Sequence, residues 1–313
     1  MSFMMMLLSY LILLINVLIA VAFLTLYERK ILGYVQMRKG PNKMGFMGIF
    51  QPFNDAIKLF SKEYLMSYNF NYYVYLVSPF FMLLLGLFIW VLVPFMFNMW
   101  EMNLGVLFML SILSISVYFT MYSGWSSNSV YSLLGSLRAI AQSISYEVSL
   151  AMILVIFIFL TDSFNFYDLM VYQSGVSMLL YMLPLFFMFS VSSIAELNRS
   201  PFDFVEGESE LVSGFNIEYA SGMFAFLFLA EYSMILFFSM MWMVMFMGFL
   251  WFNVLSYFFI MMFFSLIVLI RGTYPRFRYD MLMSLAWKKF LPFILLYLIF
   301  ILGVKFFYLM VVM

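Results

Sequence analysis

The sequence predicts an all-α, polytopic membrane bundle of about eight transmembrane helices, forming a single transmembrane domain over residues 1–313. Its 313 residues are 66% hydrophobic and only 10% charged, whereas soluble chains are about 45–50% apolar and about 25% charged. The mean hydropathy is +1.06. Apolar runs of about 20 residues, enough to cross a bilayer as a helix, recur along the whole chain.

Eight apolar runs have the length of a membrane span. The stretch from Tyr219 to Ile270 would be about 78 Å long as one helix, far more than the ~30 Å hydrocarbon core of a bilayer, so we expect a turn near Gly248. The first run has no Lys or Arg before it and no cleavage site after it, so we expect it to remain as a membrane helix. The predicted spans are Phe3 to Leu26, Val74 to Phe97, Leu104 to Tyr122, Ala139 to Leu160, Val176 to Ile194, Met223 to Met243, Phe249 to Ile270 and Phe290 to Leu309.

The basic residues predict how the bundle is oriented. Lys and Arg that flank spans collect on the cytoplasmic face, or on the matrix face of an organelle. Of the 15 basic residues, 14 fall in loops 27–73, 123–138, 195–222 and 271–289, which this count places on one face; Lys305 lies inside the last span. Both termini are therefore expected on the opposite face.

Cysteine and histidine are both absent from the sequence. This composition excludes disulfides, thiolate-bound iron–sulfur clusters, histidine-ligated haem, zinc sites built on thiolate or imidazole, and Cys or His catalysis. We expect the chain to bind no metal and no cofactor of its own. If electrons pass at this protein, another chain must carry them.

A surface amphipathic helix is predicted from Pro52 to Glu63, because apolar and polar residues fall on opposite helix faces and proline suits the first helical position. It should lie along the membrane surface. There it either covers its own bundle or borders a doorway through which a lipid-soluble molecule leaves the bilayer. The apolar set is Phe53, Ala56, Ile57 and Phe60, and the polar set is Asn54, Asp55, Lys58 and Lys62.

Carboxylates are concentrated in the loop after the fifth predicted span. Like charges crowded in a poorly hydrated place disfavour one another's ionisation, so such a group can hold and exchange protons near neutral pH. A solvated acidic loop would not do this, but Phe202 and Phe204 are interleaved with the acids and favour a packed loop. The six acids are Glu196, Asp203, Glu206, Glu208, Glu210 and Glu218, and Arg199 is the one nearby cation in the sequence.

Two further acids, Glu147 and Glu231, lie inside the fourth and sixth predicted spans. A charged side chain there costs about 2.5–3.5 kcal/mol, so each is either a hydrogen-bonded packing residue or, by default, a proton-conducting or substrate-facing carboxylate. The polar run from Gln142 to Ser149 offers donors and room for water, which favours a wet path. Arg271, Arg276 and Arg278 either face lipid head groups or balance these acids and hold a polar ligand head.

Over nearly its whole length the chain resembles the family of NADH:ubiquinone oxidoreductase chain 1, in its mitochondrially encoded form. This is the membrane subunit of respiratory complex I at the junction of the membrane and hydrophilic arms. Leu197 and Ser200 stand where the family commonly has threonines, so a hydroxyl is missing beside Glu196. The matching strings are Glu28 to Tyr34, Arg38 to Asn42, Gly124 to Ser129, Leu137 to Val148, Pro201 to Asp203 with Glu206 to Asn216, and Tyr274 to Asp280.

The resemblance implies a role that this chain fills only with partners. In the family, the subunit and two hydrophilic-arm subunits enclose a quinone tunnel, the partners bring electrons from NADH through flavin and iron–sulfur clusters, and antiporter-like membrane subunits pump protons. It implies ubiquinone as substrate, contact with lipids and none with nucleic acid. It also implies a multi-pass location in the mitochondrial inner membrane, with both termini facing the intermembrane space.

The resemblance also implies roles for residues at the matching positions. Tunnel-mouth, substrate-binding residues are Arg29, Arg38, Asp55, Phe228 and Arg271. An acidic chain that couples protons runs through Glu196, Asp203, Glu206, Glu208 and Glu210 and continues through Glu218, Glu147 and Glu231. Cations that stabilise this loop and its contact with the hydrophilic arm are Arg138, Arg199, Arg276 and Arg278.

Two other functions share these features. A stand-alone proton-coupled transporter or channel also has buried acids in an oriented bundle, but it needs no hydrophilic partner complex. A membrane hydrogenase subunit has similar spans without a quinone, and the residues around Asp55 and Arg29 favour the quinone form.

Overall fold

The predicted all-α fold is confirmed. The computed structural model describes residues 3–63, 68–94, 102–204, 214–248 and 254–312, and every regular element within these ranges is helical. The α-helices, in chain order, are α1 Phe3–Val35, α2 Gln51–Ser61, α3 Tyr72–Phe88, α4 Gly105–Ser126, α5 Val130–Thr161, α6 Phe166–Tyr172, α7 Met178–Tyr181, α8 Leu183–Glu196, α9 Ser221–Phe246, α10 Val254–Thr273, α11 Tyr279–Ser284 and α12 Leu291–Val312. A π-helix, Leu285–Phe290, joins α11 to α12.

Seven helical segments in the described part of the chain are long and apolar enough to cross a membrane, and they match seven of the eight predicted spans. The fifth predicted span is different. It is divided at Met182 into α7 and the 14-residue α8, with Pro184 in the first turn of α8. Proline cannot continue a helix from its N-terminal side because it lacks the N–H, so the chain breaks here. A 14-residue helix is about 21 Å long and is shorter than the bilayer core.

The expected turn near Gly248 is confirmed. The α9 helix ends at Phe246, and Gly248 has φ of +63°, a conformation that glycine adopts without steric cost. The amide of Gln173 donates to the carbonyls of Val244 and Met245 at 3.0 and 3.1 Å, so it satisfies acceptors that the end of the helix leaves open. The turn is therefore specified by the glycine and held by a side chain from α6's C-terminal end.

The α9 helix is the most buried of the long helices and packs against α1, α2, α3, α6 and α10. Trp242, Phe237 and Phe246 on α9 are fully buried. The α5 helix packs against α4, α8 and α12 and begins at Val130, nine residues before the predicted span. Because of this extension, Arg138 is a helical residue of α5, one turn before Gln142.

The predicted surface helix is present as α2, with Pro52 in its first turn. The face that carries Asp55 lies toward the bundle, because Asp55 is half-buried and contacts α1. Phe53 and Ile57 are instead exposed. An ion pair with an arginine on α1 stabilises Asp55 on the inner side, an interaction that periodicity alone does not predict.

Candidate functional site

A group of four charged residues lies where α1, α2 and α10 meet on the cation-rich face; we call Glu28, Arg29, Asp55 and Arg271 the rim cluster. The α1 helix continues to Val35, well past its predicted end at Leu26, so Glu28 and Arg29 are held on rigid helix. Arg271 lies in the last turn of α10. The cluster thus depends on two helices that extend beyond their apolar spans.

Two ion pairs make up the rim cluster. Glu28 is 5% exposed, and its Oε1 pairs with Nη1 of Arg271. Arg29 Nη2 lies 2.6 Å from Asp55 Oδ2, and Gln51 Nε2 donates to Asp55 Oδ1 at 2.9 Å. The side chains of Arg29 and Arg271 are 39% and 34% exposed. Their guanidinium groups are therefore fixed by acids yet still reachable by a ligand.

The predicted tunnel-mouth residue Phe228 lies next to this cluster. It belongs to an aromatic series along α9, with ring centroids 4.3 Å from Phe224 and 6.4 Å from Tyr232. Tyr232 donates its hydroxyl to Glu28 Oε2 at 2.6 Å, so the series ends at the rim cluster. Arg38 is exposed in the loop after α1, where its backbone N–H donates to the Gly33 carbonyl at 2.8 Å.

A second group lies deeper in the bundle; we call Glu147, Glu196, Arg199 and Glu231 the inner cluster. Arg199 Nη2 lies 3.1 Å from Glu231 Oε2, and their side chains are 7% and 20% exposed. Glu196 lies close enough to Glu147 for their charges to repel each other. The inner cluster therefore brings together three acids that are far apart in the sequence.

Glu196 and Glu231 line a cavity of about 80 Å³ between α3, α4 and α9. This volume is enough for several water molecules. Among the described residues, no partner hydrogen-bonds to Glu196 Oε2 or to Asn198 Oδ1, which also lines the cavity. A buried carboxylate without a donor is costly, so this oxygen needs either a proton or a water molecule. Leu197, which replaces the common threonine, lines the same cavity without supplying a hydroxyl.

The described part of the acidic loop, residues 195–204, is packed as predicted rather than solvated. Gln142 on α5 donates its amide to the carbonyls of Ala195 and Phe202 at 2.7 and 2.9 Å, so it holds both ends of this segment. Asp203 is 7% exposed and lies 3.3 Å from Nη2 of Arg276. The segment that follows α10 therefore fixes the loop from the other side.

The hydroxyl protons of the serines near Glu147 are engaged within their own helix. Ser143, Ser145 and Ser149 donate to backbone carbonyls of their own helix, as serine often does within helices. Space that can hold water lies in the cavity beside Glu196.

Several predicted residues lie away from the two clusters. The Glu218 carbonyl accepts a hydrogen bond from the Tyr75 hydroxyl at 2.8 Å. The Glu218 side chain is partly buried, and no contact among the described residues joins it to the inner cluster. Arg278 pairs with Asp280 at 3.1 Å, both largely exposed, and Arg138 is partly buried on α5. Glu206, Glu208 and Glu210 lie outside the described residues.

The chain is similar to known proteins over nearly its whole length. The family described as NADH dehydrogenase matches residues 8–302. The chain is 54% identical over 307 residues to NADH-ubiquinone oxidoreductase chain 1 of Aedes aegypti, with 98% of each chain covered. It is 53% identical over 298 residues to the protein of the same name from Locusta migratoria, with 95% of each covered.

The chain belongs to the NADH dehydrogenase family. All residues of the rim and inner clusters fall within the part that matches this family. With seven helices of spanning length in its described residues, this family member is a multi-pass membrane protein.

Sequence reasoning missed two residues of this family member that organise the site, Glu28 and Tyr232, and it assigned Gln142 to a wet path rather than to holding the acidic loop. A signal was available for Glu28, because an acid follows directly on the first apolar run and precedes Arg29. None was available for Tyr232, one of 22 tyrosines in the chain, since nothing local marks it as the partner of an acid 204 positions away.

Proposed function

We propose that this chain is the quinone-site membrane subunit of respiratory complex I. It forms the entrance of the quinone tunnel and an acidic proton-coupling path, and it acts in electron transfer from NADH to ubiquinone coupled to proton pumping. The observation that supports this most is the half-exposed Arg271 at the rim, which Glu28 and Tyr232 link to the buried acids around a cavity. The names of the relatives point the same way.

The rim cluster would bind the head group of the quinone. Arginine is a strong hydrogen-bond donor, and the exposed guanidinium groups of Arg29 and Arg271 can donate to quinone carbonyl oxygens. Phe228 supplies an apolar wall beside them. Glu28 and Asp55 hold the two arginines in place, so the site is preorganised before the substrate arrives.

The inner cluster would respond to reduction of the quinone. Reduction to quinol takes up two electrons and two protons, so the electrostatic field near the site changes at each turnover. Coupled carboxylates such as Glu147 and Glu196 change their shared proton occupancy when that field changes. Arg199, Arg276 and Gln142 keep the acidic segment in place while protons move.

The chain would work only within a larger assembly. Its sequence has no Cys or His, so flavin and iron–sulfur clusters would belong to hydrophilic-arm partners, and antiporter-like membrane subunits would carry out the pumping. We place it in the mitochondrial inner membrane as one transmembrane domain. Its cation-rich loops then face the matrix, where the hydrophilic arm binds, and both termini face the intermembrane space.

The coupling role is tested by Glu147→Gln and Glu231→Gln variants of the assembled complex in sealed vesicles. Each should pump fewer protons per electron than the wild type. Wild-type pumping at wild-type rates would remove that residue from the path. For Asp203→Asn and Glu206→Gln we expect lower quinone reductase activity with assembly retained, whereas loss of the whole complex would indicate a structural role.

The whole-protein function is tested on the native assembly purified in mild detergent. NADH should reduce a quinone analogue, and a tunnel-blocking inhibitor should stop the reaction. A chain that purifies without hydrophilic partners would instead be a transporter or channel. A complex that does not react with quinone would favour a hydrogenase-type subunit.

A further inference from the structure

Tyr232 on α9 is the residue that contacts both clusters. Its hydroxyl donates to Glu28 Oε2 at 2.6 Å, while the guanidinium carbon of Arg199 lies 4.8 Å from the centre of its ring. Glu28 also pairs with Arg271, and Arg199 pairs with Glu231. Among the contacts of the described residues, the Tyr232 phenol thus joins the rim and inner clusters.

The contacts at this phenol are shielded from water. Tyr232 is 7% exposed, Glu28 is 5% exposed and Arg199 is 6% exposed. Electrostatic interactions are stronger at low local dielectric, and hydrogen-bonded groups polarise one another there. A change of charge on one side of the ring therefore reaches the other side with little screening.

We propose that Tyr232 is a positioning residue that couples the rim cluster to the inner cluster. This inference rests on the proposed function and deepens it. When a quinone head group engages Arg271, Glu28 loses part of its counterion and draws more strongly on the Tyr232 hydroxyl. The phenol ring then becomes more electron-rich and attracts Arg199 more strongly, because a cation is attracted to the negative face of an aromatic ring. Arg199 in turn holds Glu231 less tightly.

No covalent bond changes in this sequence of events. The phenol proton stays on Tyr232, and the only movement is a shift of Arg199 between the ring face and the Glu231 carboxylate. Binding at the rim would therefore alter the inner cluster before any proton is taken up there.

The competing explanation is a purely structural role, in which Tyr232 only satisfies a buried acid. The substitution Tyr232→Phe separates the two, because it keeps the ring for Arg199 but removes the hydroxyl from Glu28. We expect the kcat of NADH:quinone reductase activity to fall at least about tenfold, the effect of losing one hydrogen bond to a charged group. The KM for the quinone should stay within about twofold because Arg29 and Arg271 remain.

The matched control is Tyr10→Phe. Tyr10 lies on α1, like Glu28, and its hydroxyl donates to the Leu87 carbonyl at 3.1 Å without touching a charged group. This control should assemble and turn over as the wild type does. An unchanged kcat in the Tyr232→Phe complex, or a fall no larger than that of the control, would overturn the inference.

A double-mutant cycle between Glu28→Gln and Glu231→Gln gives a readout that simple loss of packing would not move. Coupled residues give non-additive effects, whereas independent ones multiply their fold-losses. In the wild-type background the double variant should keep about tenfold more activity than the two single fold-losses, multiplied together, would leave. In the Tyr232→Phe background the two losses should simply multiply.

The outcomes separate this inference from the proposed function. If Glu28→Gln and Glu231→Gln each lower activity but their fold-losses multiply in the wild-type background, Tyr232 does not couple the clusters. The inference then fails while the proposed function stands. If neither single variant changes quinone reduction or pumping, the proposed function fails and the inference with it. Should Tyr232→Phe prevent assembly, the cycle in the wild-type background still decides between coupling and independence.

Discussion

The rim cluster and the inner cluster use the same residue types in opposite ways. At the rim, each acid faces an arginine from another helix: Glu28 faces Arg271, and Asp55 faces Arg29. In the inner cluster Arg199 pairs with Glu231, but Glu196 meets the charge of Glu147, and in the described structure its Oε2 has no hydrogen-bond partner. Balanced pairs suit binding, whereas crowded acids suit the exchange of protons.

Exposure separates the two clusters further. The rim arginines are more than a third exposed, and Arg199 is almost fully buried. A half-exposed guanidinium can give part of its hydrogen bonding to a ligand at little cost, while a buried one cannot leave its acid without a strong penalty. The comparison therefore predicts that equivalent substitutions have different consequences in the two places.

The largest effect is expected from Arg199→Met. The substitution leaves the Glu231 carboxylate in a poorly hydrated place without this cation, and breaking a buried pair in this way costs about 3–5 kcal/mol. The amount of assembled complex on native gels should fall sharply. Arg29→Met at the rim should assemble but reduce quinone poorly. Equal assembly of the two variants would show that burial does not distinguish the clusters.

The next effect is expected from Gly86→Ala, which adds a methyl group at the wall of the cavity. A Cβ at Gly86 would lie 2.7 Å from Ser233 Oγ. Such overpacking typically costs about 1–3 kcal/mol, so the thermal stability of the complex should fall. The double variant Gly86→Ala with Ser233→Ala removes the close contact and should recover most of the loss. Failure to recover would mean that the added methyl group acts through something other than Ser233.

A smaller effect is expected from Asp55→Asn. The amide keeps the shape of the side chain but loses the charge that orients Arg29, and a partly exposed pair of this kind is worth about 1 kcal/mol. The KM for a quinone analogue should rise about fivefold, with kcat little changed. Asp162→Asn is the control, because it removes an ion pair with Lys305 that belongs to neither cluster. A fall in kcat at constant KM would place Asp55 in coupling rather than in binding.

The smallest effect is expected from Arg278→Gln. Arg278 and its partner Asp280 are 78% and 73% exposed, and an exposed pair of this kind often contributes nothing measurable. Arg276→Gln, which removes the partner of buried Asp203, should lower quinone reductase activity and loosen the acidic loop, as read by limited proteolysis. If Arg278→Gln proved as damaging as Arg276→Gln, contact with a partner subunit at Arg278 would be the simplest explanation.

Local sequence rules predict much of this fold. Hydropathy alone locates seven full-length spans, Gly248 marks the turn after α9, and Pro52 with its periodic neighbours marks α2. These features depend on a few adjacent residues, which is why they can be read directly from the sequence. The division of the fifth span at Met182 was not predicted, although Pro184 provided a signal.

The candidate site shows where local rules stop. Acidic residues in apolar surroundings can be found from the sequence because charge in a span is costly, and Glu147 and Glu231 were found in this way. The partners of these acids cannot be found from the sequence. Lipid-facing and helix-facing surfaces are equally apolar, so periodicity does not reveal which helices meet.

The sequence by itself determined that the chain is a helical membrane protein, where most of its long apolar helices lie, and which acids and cations are costly to bury. Only the tertiary structure decided which of them meet. Arg271 reaches Glu28 across 243 positions and Tyr232 reaches it across 204. Helix packing brings these residues together, and packing depends on the shapes of whole helices rather than on any short run of residues.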